Sequence, residues 1–216
     1  TVSIELNSST DNPLIFPTPE NPGSHEVVSQ GNFHAEVLAL VADAMSLGLF
    51  ELSSISERRI DQMLDPARRA IRPFLAENPG LESGLMIVQY VAAASLGELR
   101  GHANPRTAFS TTTSAGQEDH VSMGATASWN LLEAIQRCRE VLACEAFVAY
   151  RAIRLIEKPS STCVESLIRC MNNVVLPGIE DRNTSEEIRA IAAEFTSSSW
   201  LSVIQSMLET PLRKSL

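Results

Sequence analysis

The sequence predicts an all-α fold. Aromatic residues make up only 5% of the 216 residues, and alanine, leucine, serine, glutamate and isoleucine dominate, which favours helices over sheets. Apolar residues recur every three or four positions over long stretches, and no segment shows a convincing strand alternation. A hydrophobic content of 44% with 20% charged residues is typical of a soluble globular protein.

The first part of the chain is predicted to be an irregular segment over residues 1–32. Turn-forming and helix-breaking residues are dense there: Asn12-Pro13, Pro17, Pro19 and Pro22-Gly23. Irregular segments of this length are uncommon inside a compact domain, so we expect it to serve an active site or an interface. The remainder, residues 33–216, is predicted to be a helical bundle domain.

Three long helices are predicted in the middle of the chain. The first covers 33–64 and ends at Asp65-Pro66, because a residue before proline resists the helical conformation. The second, over 83–100, is apolar nearly all round, which predicts burial between other helices. The third covers 121–157, and about thirty helical residues span about 45 Å. That exceeds the diameter of a small domain and favours a bundle shared between subunits.

Shorter helices are predicted after Pro159, which ends the long helix. One covers 161–176, and one last helix opens at Thr184, where Thr184-x-x-Glu187 matches a capping box. The long loops at 65–82 and 101–120 complete the architecture. Loops held by rigid helices are where functional sites usually lie.

Charge and cysteine usage narrow the class of protein. The net charge of −9 argues against nucleic-acid binding, which needs a basic surface. Charged residues interrupt the apolar stretches before membrane-spanning length, and the N-terminus lacks the basic and apolar regions of a secretory signal. Four cysteines without a C-x-x-C pair predict reduced, packed thiols. We therefore expect a cytoplasmic protein that acts without a membrane.

Three polar segments are candidates for a site. The segment 5–13 holds Asn7 and Asn12, which either serve a site or form an Asx-turn. The segment 31–36 either offers free helix N–H groups beside an apolar Phe33, or Asn32 caps the helix and His34 is solvated. The spacing of His34 and Glu36 argues against a metal site.

The third polar segment, 116–124, contains Glu118 and Asp119 where a loop enters the long helix. Glu118 either binds a substrate cation or acts as an acid or base if buried. The alternative is that both carboxylates only stabilise the helix, by interacting favourably with its dipole at the N-terminus.

Taken in order, several segments resemble the histidine and aromatic amino-acid ammonia-lyase family over about residues 3–160. They are Asn7-Ser8-Ser9-Thr10-Asp11-Asn12-Pro13, Gly31-Asn32-Phe33-His34, Ser56-Glu57-Arg58-Arg59-Ile60, Phe74-Leu75-Ala76-Glu77-Asn78-Pro79-Gly80 and Gln117-Glu118-Asp119-His120-Val121-Ser122-Met123-Gly124. The resemblance implies an all-α, long-helix bundle of the fumarase/aspartase-like type with extended active-site loops, assembled as a tetramer. It also implies elimination of ammonia from an α-amino acid by a methylidene-imidazolone (MIO) electrophile, or isomerisation in the related aminomutases.

The similarity is to the C-terminal part of the family, and no Ala-Ser-Gly, the source of the electrophile, occurs in the sequence. The resemblance therefore implies a C-terminal subunit or segment that needs an N-terminal lyase-like partner carrying Ala-Ser-Gly, together with copies of itself. It implies no metal. A fragment and a natural subunit both remain open. The sequence departs from the residues usual in the family at Glu82 and at Leu96-Gly97. These departures motivate the alternative of a non-catalytic scaffold.

Residue roles also follow from the resemblance. Phe33 matches the phenylalanine that lines the substrate pocket, and Glu118 matches the position that contacts the substrate side chain or amine. A glutamate there is similar to the histidine lyases. Asn7 and Asn12 match the loop close to the active centre. The electrophile and the catalytic base are expected on the partner, so no catalytic residue is assigned to this chain.

Overall fold

The computed structural model describes residues 1–68, 71–156 and 161–209, and it is mostly helical, as predicted. The α-helices are α1 (Val2–Glu5), α2 (Glu36–Leu64), α3 (Met86–His102), α4 (Gly124–Ile156), α5 (Thr162–Met171), α6 (Ser185–Glu194) and α7 (Ser198–Glu209). The chain divides into two compact units. The first unit is Thr1–Phe50 with Arg100–Ile135, and the second is Glu51–Leu99 with Gln136–Leu216.

The N-terminal segment of the first unit contains a two-stranded antiparallel hairpin. Strand β1 (Leu14–Pro17) pairs with β2 (His25–Val28), with Leu14 opposite Val28. The prediction that the sequence holds no strands was therefore wrong. Each strand has only four residues and is mostly exposed, so it shows no alternation of buried and exposed side chains from which a strand could be inferred.

The long helices of the first unit begin later than predicted. Ala35 has a left-handed φ of 57°, which separates α2 from the 3₁₀ turn Asn32–His34. Met123, with a φ of 56°, immediately precedes α4. All but the last residue of each polar segment therefore lie before the α-helix that follows it, where backbone turns direct the side chains.

A small alanine-rich core and a buried carboxylate hold the first unit together. The core consists of Ala39, Ala42 and Ala127. Beside Ala42 along α2, Asp43 is only 7% exposed and accepts hydrogen bonds from the backbone N–H groups of Arg106 and Thr107, both at 2.9 Å. Burial raises the pKa of Asp43, but these hydrogen bonds outweigh burial and lower it overall. Asp43 thus anchors the loop that follows α3 to helix α2.

The second unit has the larger core, centred on the C-terminal part of α4. Phe147 and Val148 are fully buried there, and Tyr150 is buried with its hydroxyl donating to Asn172 Oδ1 at 2.7 Å. Tyr150 is thus a core residue, whereas Tyr90 on α3 is exposed.

Helix α3 buries one face rather than its whole circumference. Val88, Ala92 and Leu99 are buried, whereas Ile87 and Tyr90 are exposed on the described chain. The prediction of all-round burial was wrong for this chain, because nothing among the described residues covers the second face. An apolar face left in water is typical of a surface that another chain covers.

The C-terminal helices differ from prediction in their limits. Helix α5 ends at Met171, and the single last helix is two helices, α6 and α7. The predicted capping box is wrong, because Thr184 makes no side-chain cap hydrogen bond. Glu187 instead lies 2.8 Å from Arg182 Nη2 and accepts the N–H of Leu176. Pro159 lies outside the described residues.

The four cysteines are free thiols, as predicted. Cys138 and Cys144 are buried in the second unit, where they pack as small apolar groups. Burial, with a smaller contribution from the charge of Glu140, raises the pKa of Cys144 to about 12, so its thiol stays protonated at neutral pH.

The segment Asn32–Leu64 is long and apolar enough to cross a membrane by length and composition. Charged residues interrupt its apolar runs, as expected, at Glu36, Asp43 and Glu51. Such a segment is weak evidence of a membrane span, because core helices of soluble proteins have the same length and composition.

Gly84 provides a direct test of the second unit's geometry. Its φ is +55°, and a Cβ there would lie 2.5 Å from the carbonyl oxygen of Phe74. We expect Gly84→Ala to lower the free energy of unfolding by about 3 kcal/mol, from backbone strain plus the clash. Urea denaturation measures this change. The control is Gly97→Ala on α3, where the added Cβ meets open space. Equal midpoints for the two variants would contradict the described turn.

Candidate active site

Phe33 lies on a tight turn immediately before helix α2. The 3₁₀ turn Asn32–His34 and the left-handed Ala35 hold the Phe33 side chain partly exposed. Its ring lies 4.2 Å from the His34 ring, centroid to centroid, with 34° between the ring planes. The two neighbouring rings therefore form one small apolar and aromatic surface.

Glu118 is presented by a closed loop. The backbone of Glu118 pairs with that of Thr113 through N–H···O distances of 3.0 and 3.3 Å. Between them, Ser114, Ala115 and Gly116 all have positive φ, which turns the chain back on itself. The loop thus fixes the backbone of Glu118 without help from a helix or a sheet.

Two histidine–glutamate pairs join these segments; we call them the crossed pairs. His34 Nε2 lies 3.4 Å from Glu118 Oε2, and His120 Nε2 lies 3.2 Å from Glu36 Oε2. The Ser122 hydroxyl also donates to the carbonyl of His34. Residues 34 and 36 therefore face residues 118 and 120, and His34 connects Glu118 to Phe33, whose ring it contacts.

The N-terminal segment approaches the Phe33 turn through a polar network. Asn12 Oδ1 accepts the Ser29 hydroxyl and the Gln30 N–H, both at 3.1 Å. The Gln30 side chain accepts the N–H of Asn32, whose amide donates to Glu5 at 2.8 Å. Asn12 is thus connected to the residue that precedes Phe33.

Asn7 has a different environment from Asn12. Its side-chain amide donates to the carbonyl of Ser3 at 2.7 Å, a local contact between the residues after α1 and α1 itself. The hydrogen bonds of the described residues connect Phe33, Glu118 and Asn12 through their neighbours, and they do not include Asn7 in that set.

The structural alternatives for the segments 31–36 and 116–124 are wrong. Asn32 does not cap α2, because the helix begins at Glu36. His34 is not a solvated side chain, since it pairs with Glu118. Glu118 and Asp119 lie outside the first turn of α4, so they do not complement its dipole.

Sequence reasoning missed His34, Glu36 and His120 as parts of the site. The available signal was the spacing: a histidine and a glutamate two residues apart occur in both segments, in opposite order. Two segments that run side by side can match such a pattern pair by pair. The pattern becomes informative only when the two segments are known to be neighbours.

The arrangement suits a ligand that has a positively charged or N–H-rich group beside an apolar part. The Glu118 carboxylate accepts hydrogen bonds, and the Phe33 ring provides apolar contact. The Glu118 side chain is 38% exposed, so the described residues do not enclose it in a pocket. Among the described residues, no group of three or more histidine, cysteine or acidic side chains is placed to hold a metal ion.

The fold and these segments place the chain among helical proteins of the amino-acid ammonia-lyase type. Residues 1–174 match the family described as aromatic amino acid lyase, and the chain belongs to that family. It is 38% identical over 211 residues to a histidine ammonia-lyase of Geobacillus sp. (strain WCH70), covering 97% of this chain and 40% of the relative. It is 44% identical over 162 residues to that of Bacillus cytotoxicus, covering 74% of this chain and 31% of the relative.

Solved structures agree with this assignment. The histidine ammonia-lyase of Trypanosoma cruzi superposes with a TM-score of 0.87 at 34% identity, covering 95% of this chain and 40% of the other. The tyrosine aminomutase of Streptomyces globisporus superposes with a TM-score of 0.86 at 28% identity, covering 97% of this chain and 39% of the other. The expected fold class and family are thus confirmed, and the chain spans about 40% of the length of the first of these relatives.

Proposed function

We propose that this chain is the C-terminal subunit or segment of an enzyme that eliminates ammonia from an α-amino acid, with a histidine-like substrate favoured over an aromatic one. The observation that carries the proposal is that Glu118 pairs with His34, whose ring lies 4.2 Å from that of Phe33, centroid to centroid. An acidic acceptor next to an aromatic ring suits an imidazole or an ammonium group. The names of the most similar relatives support the same substrate class.

The electrophile of this chemistry is proposed to be supplied by a second chain. The three residues Ala-Ser-Gly occur nowhere in the 216-residue sequence, and the nearest string, Ser114-Ala115-Gly116, has another order and forms a strained turn. This chain therefore cannot form an MIO group from its own residues. Its proposed contribution is to bind the substrate, with Glu118 as acceptor, Phe33 as apolar wall and Asn12 supporting the turn. Asn7 is assigned to the same loop by resemblance.

Exposed apolar side chains support the need for partners. On the first unit, large apolar residues of α2 and α4 are exposed: Val37, Leu40, Met45, Leu47, Trp129 and Leu132. Apolar faces of this extent are typical of interfaces between chains. We propose that an N-terminal lyase-like chain and further copies of this chain cover them in a four-fold helical assembly, which acts in the cytoplasm without a metal, a membrane or nucleic acid.

Two alternatives have specific support. The structural similarity to aminomutases, one at a TM-score of 0.86, favours isomerisation as a second candidate reaction. The departures at Glu82 and Leu96-Gly97 favour a scaffold that has lost catalysis. Glu82 is engaged locally, where it accepts the N–H of Asn78 at 2.8 Å, and this contact gives it a structural role.

Mass spectrometry distinguishes the enzyme from the scaffold. We expect native spectra of the protein, purified from its source, to contain a second chain. In denaturing spectra that chain should be lighter than its sequence predicts by two water molecules, which cyclisation of Ala-Ser-Gly releases. This chain should show its unmodified mass and serves as the internal control. An assembly of this chain alone, or a partner of unmodified mass, would establish the scaffold.

A further inference from the structure

A cavity in the second unit concentrates positive charge in an acidic protein. The cavity measures about 350 Å³, and its described lining includes the arginines Arg72, Arg151 and Arg154 and one carboxylate, Glu77. Three guanidinium groups against one carboxylate leave two positive charges, whereas the whole chain carries −9. Like charges gathered around an open space are unfavourable unless an anion compensates them.

Arg151 forms the buried part of this cavity. It is only 3% exposed, and its Nη1 donates to the carbonyl of Ile179 at 2.6 Å. Its guanidinium carbon lies 5.8 Å from the centre of the Phe147 ring. A guanidinium has five N–H donors, and buried arginines are ordinarily paired with a carboxylate or another anion. Within the described chain, the contacts given for the Arg151 guanidinium are one carbonyl oxygen and one aromatic ring.

The charges around Arg151 do not supply the missing anion. Burial lowers the pKa of Arg151, and the nearby positive charge of Arg182 lowers it further, against the opposing effects of Glu187 and Glu180. Glu187 is already paired with Arg182 at 2.8 Å. Glu180, whose carboxylate lies against Gly178, acts on Arg151 through its charge, and among the described residues no hydrogen bond or ion pair joins the two. The surroundings therefore disfavour the positive charge of Arg151 as long as the cavity holds no anion.

The other two arginines lie on exposed positions at the cavity. Arg72 donates from Nη1 to the carbonyl of Glu77 at 3.0 Å, which leaves its remaining N–H groups available. Arg154 is exposed and makes no hydrogen bond or ion pair with any residue that the structure describes. The Tyr150 hydroxyl also lines the cavity, but its proton is donated to Asn172.

We propose that this cavity binds a small doubly charged tetrahedral oxyanion, inorganic phosphate or the phosphate group of a small ester, with Arg151 at its floor and Arg72 and Arg154 at its mouth. The planar guanidinium matches two phosphate oxygens at once, which makes arginine the preferred phosphate ligand. The site is separate in sequence and in unit from Phe33 and Glu118, so the proposal does not rest on lyase chemistry.

Isothermal titration calorimetry with inorganic phosphate, at constant ionic strength, tests the proposal on the chain in its purified assembly. We expect one phosphate per chain, with binding weakened about tenfold by Arg154→Gln and by Arg72→Gln, since each removes a charge-assisted hydrogen bond. Both residues are exposed, so these variants should fold, whereas Arg151→Met removes binding but also disturbs the core. The matched control is Arg169→Gln, an exposed α5 arginine that is absent from the cavity lining.

Two results would overturn the site. One is a phosphate titration that gives no more heat than sodium chloride of equal ionic strength, which also follows if a carboxylate of another chain already fills the cavity. The other is equal weakening by Arg154→Gln and Arg169→Gln, because that would reflect the net charge alone. Ester-bound phosphate is distinguished from the free ion by repeating the titration with phenyl phosphate.

Discussion

Replacing Glu118 with glutamine in the reconstituted enzyme should lower turnover of a histidine-like amino acid by about 10- to 150-fold. A hydrogen bond to a charged group is worth about 1.5–3 kcal/mol, and glutamine keeps the size of the side chain while removing its charge. The loss should appear in kcat/KM for substrates that present an N–H or an ammonium group. Assembly should be unchanged, because Glu118 is partly exposed and its backbone is fixed through Thr113.

The matched control is Glu133→Gln, which makes the same chemical change on an exposed position of α4 in the same unit. It should turn over like the parent. Phe33→Ala is expected to raise KM by removing apolar contact. His34→Gln should give a smaller loss than Glu118→Gln, because it weakens the support of Glu118 and keeps the Glu118 carboxylate itself. If Glu118→Gln is as active as Glu133→Gln, the proposed substrate contact is wrong.

The long helices could be predicted from sequence because their signal is local and repeated. Apolar residues every three or four positions, ended by Asp65-Pro66, gave the C-terminal limit of α2 at Leu64 correctly. The hairpin β1–β2 was missed because its exposed four-residue strands carry no burial pattern. The split between α6 and α7 was missed because Thr196 and Ser197 are only weak helix breakers. In the structure, Ser197 Oγ caps α7 by accepting the N–H of Trp200.

The site was predictable only in part, for a different reason. Resemblance pointed to Phe33 and Glu118, 85 positions apart, and the structure connects them through His34. That connection depends on left-handed residues, Ala35 and the turn at 114–116, which no hydrophobic period reveals. Alanine and serine rarely adopt this conformation, so tertiary packing rather than local preference holds it.

Asp43→Ala should lower the free energy of unfolding of the first unit by about 3–5 kcal/mol. In the parent, Asp43 accepts two backbone N–H groups and the Thr107 hydroxyl, the last at 2.8 Å from Oδ2. The substitution leaves all three donors without their acceptor. Asp43→Asn keeps one carbonyl oxygen and should cost about half as much. Urea denaturation at pH 7 measures both, and Asp119→Ala, on an exposed position of the same unit, should change stability by no more than about 0.5 kcal/mol.

The stabilisation from Asp43 should also depend on pH in a defined direction. Its pKa is lower in the folded chain than in the unfolded one, because four hydrogen-bonded contacts from Arg106 and Thr107 outweigh the opposing effect of burial. The ionised Asp43 side chain therefore contributes its full stabilisation above the pKa that Asp43 has in the unfolded chain, near pH 4. That stabilisation is lost as the pH falls through the lower pKa of the folded chain. The stability difference between the parent and Asp43→Asn should stay constant from pH 5 to pH 8, within about 0.5 kcal/mol, and shrink below pH 4. A difference that grows on acidification would mean that Asp43 is not the charged acceptor holding Arg106 and Thr107.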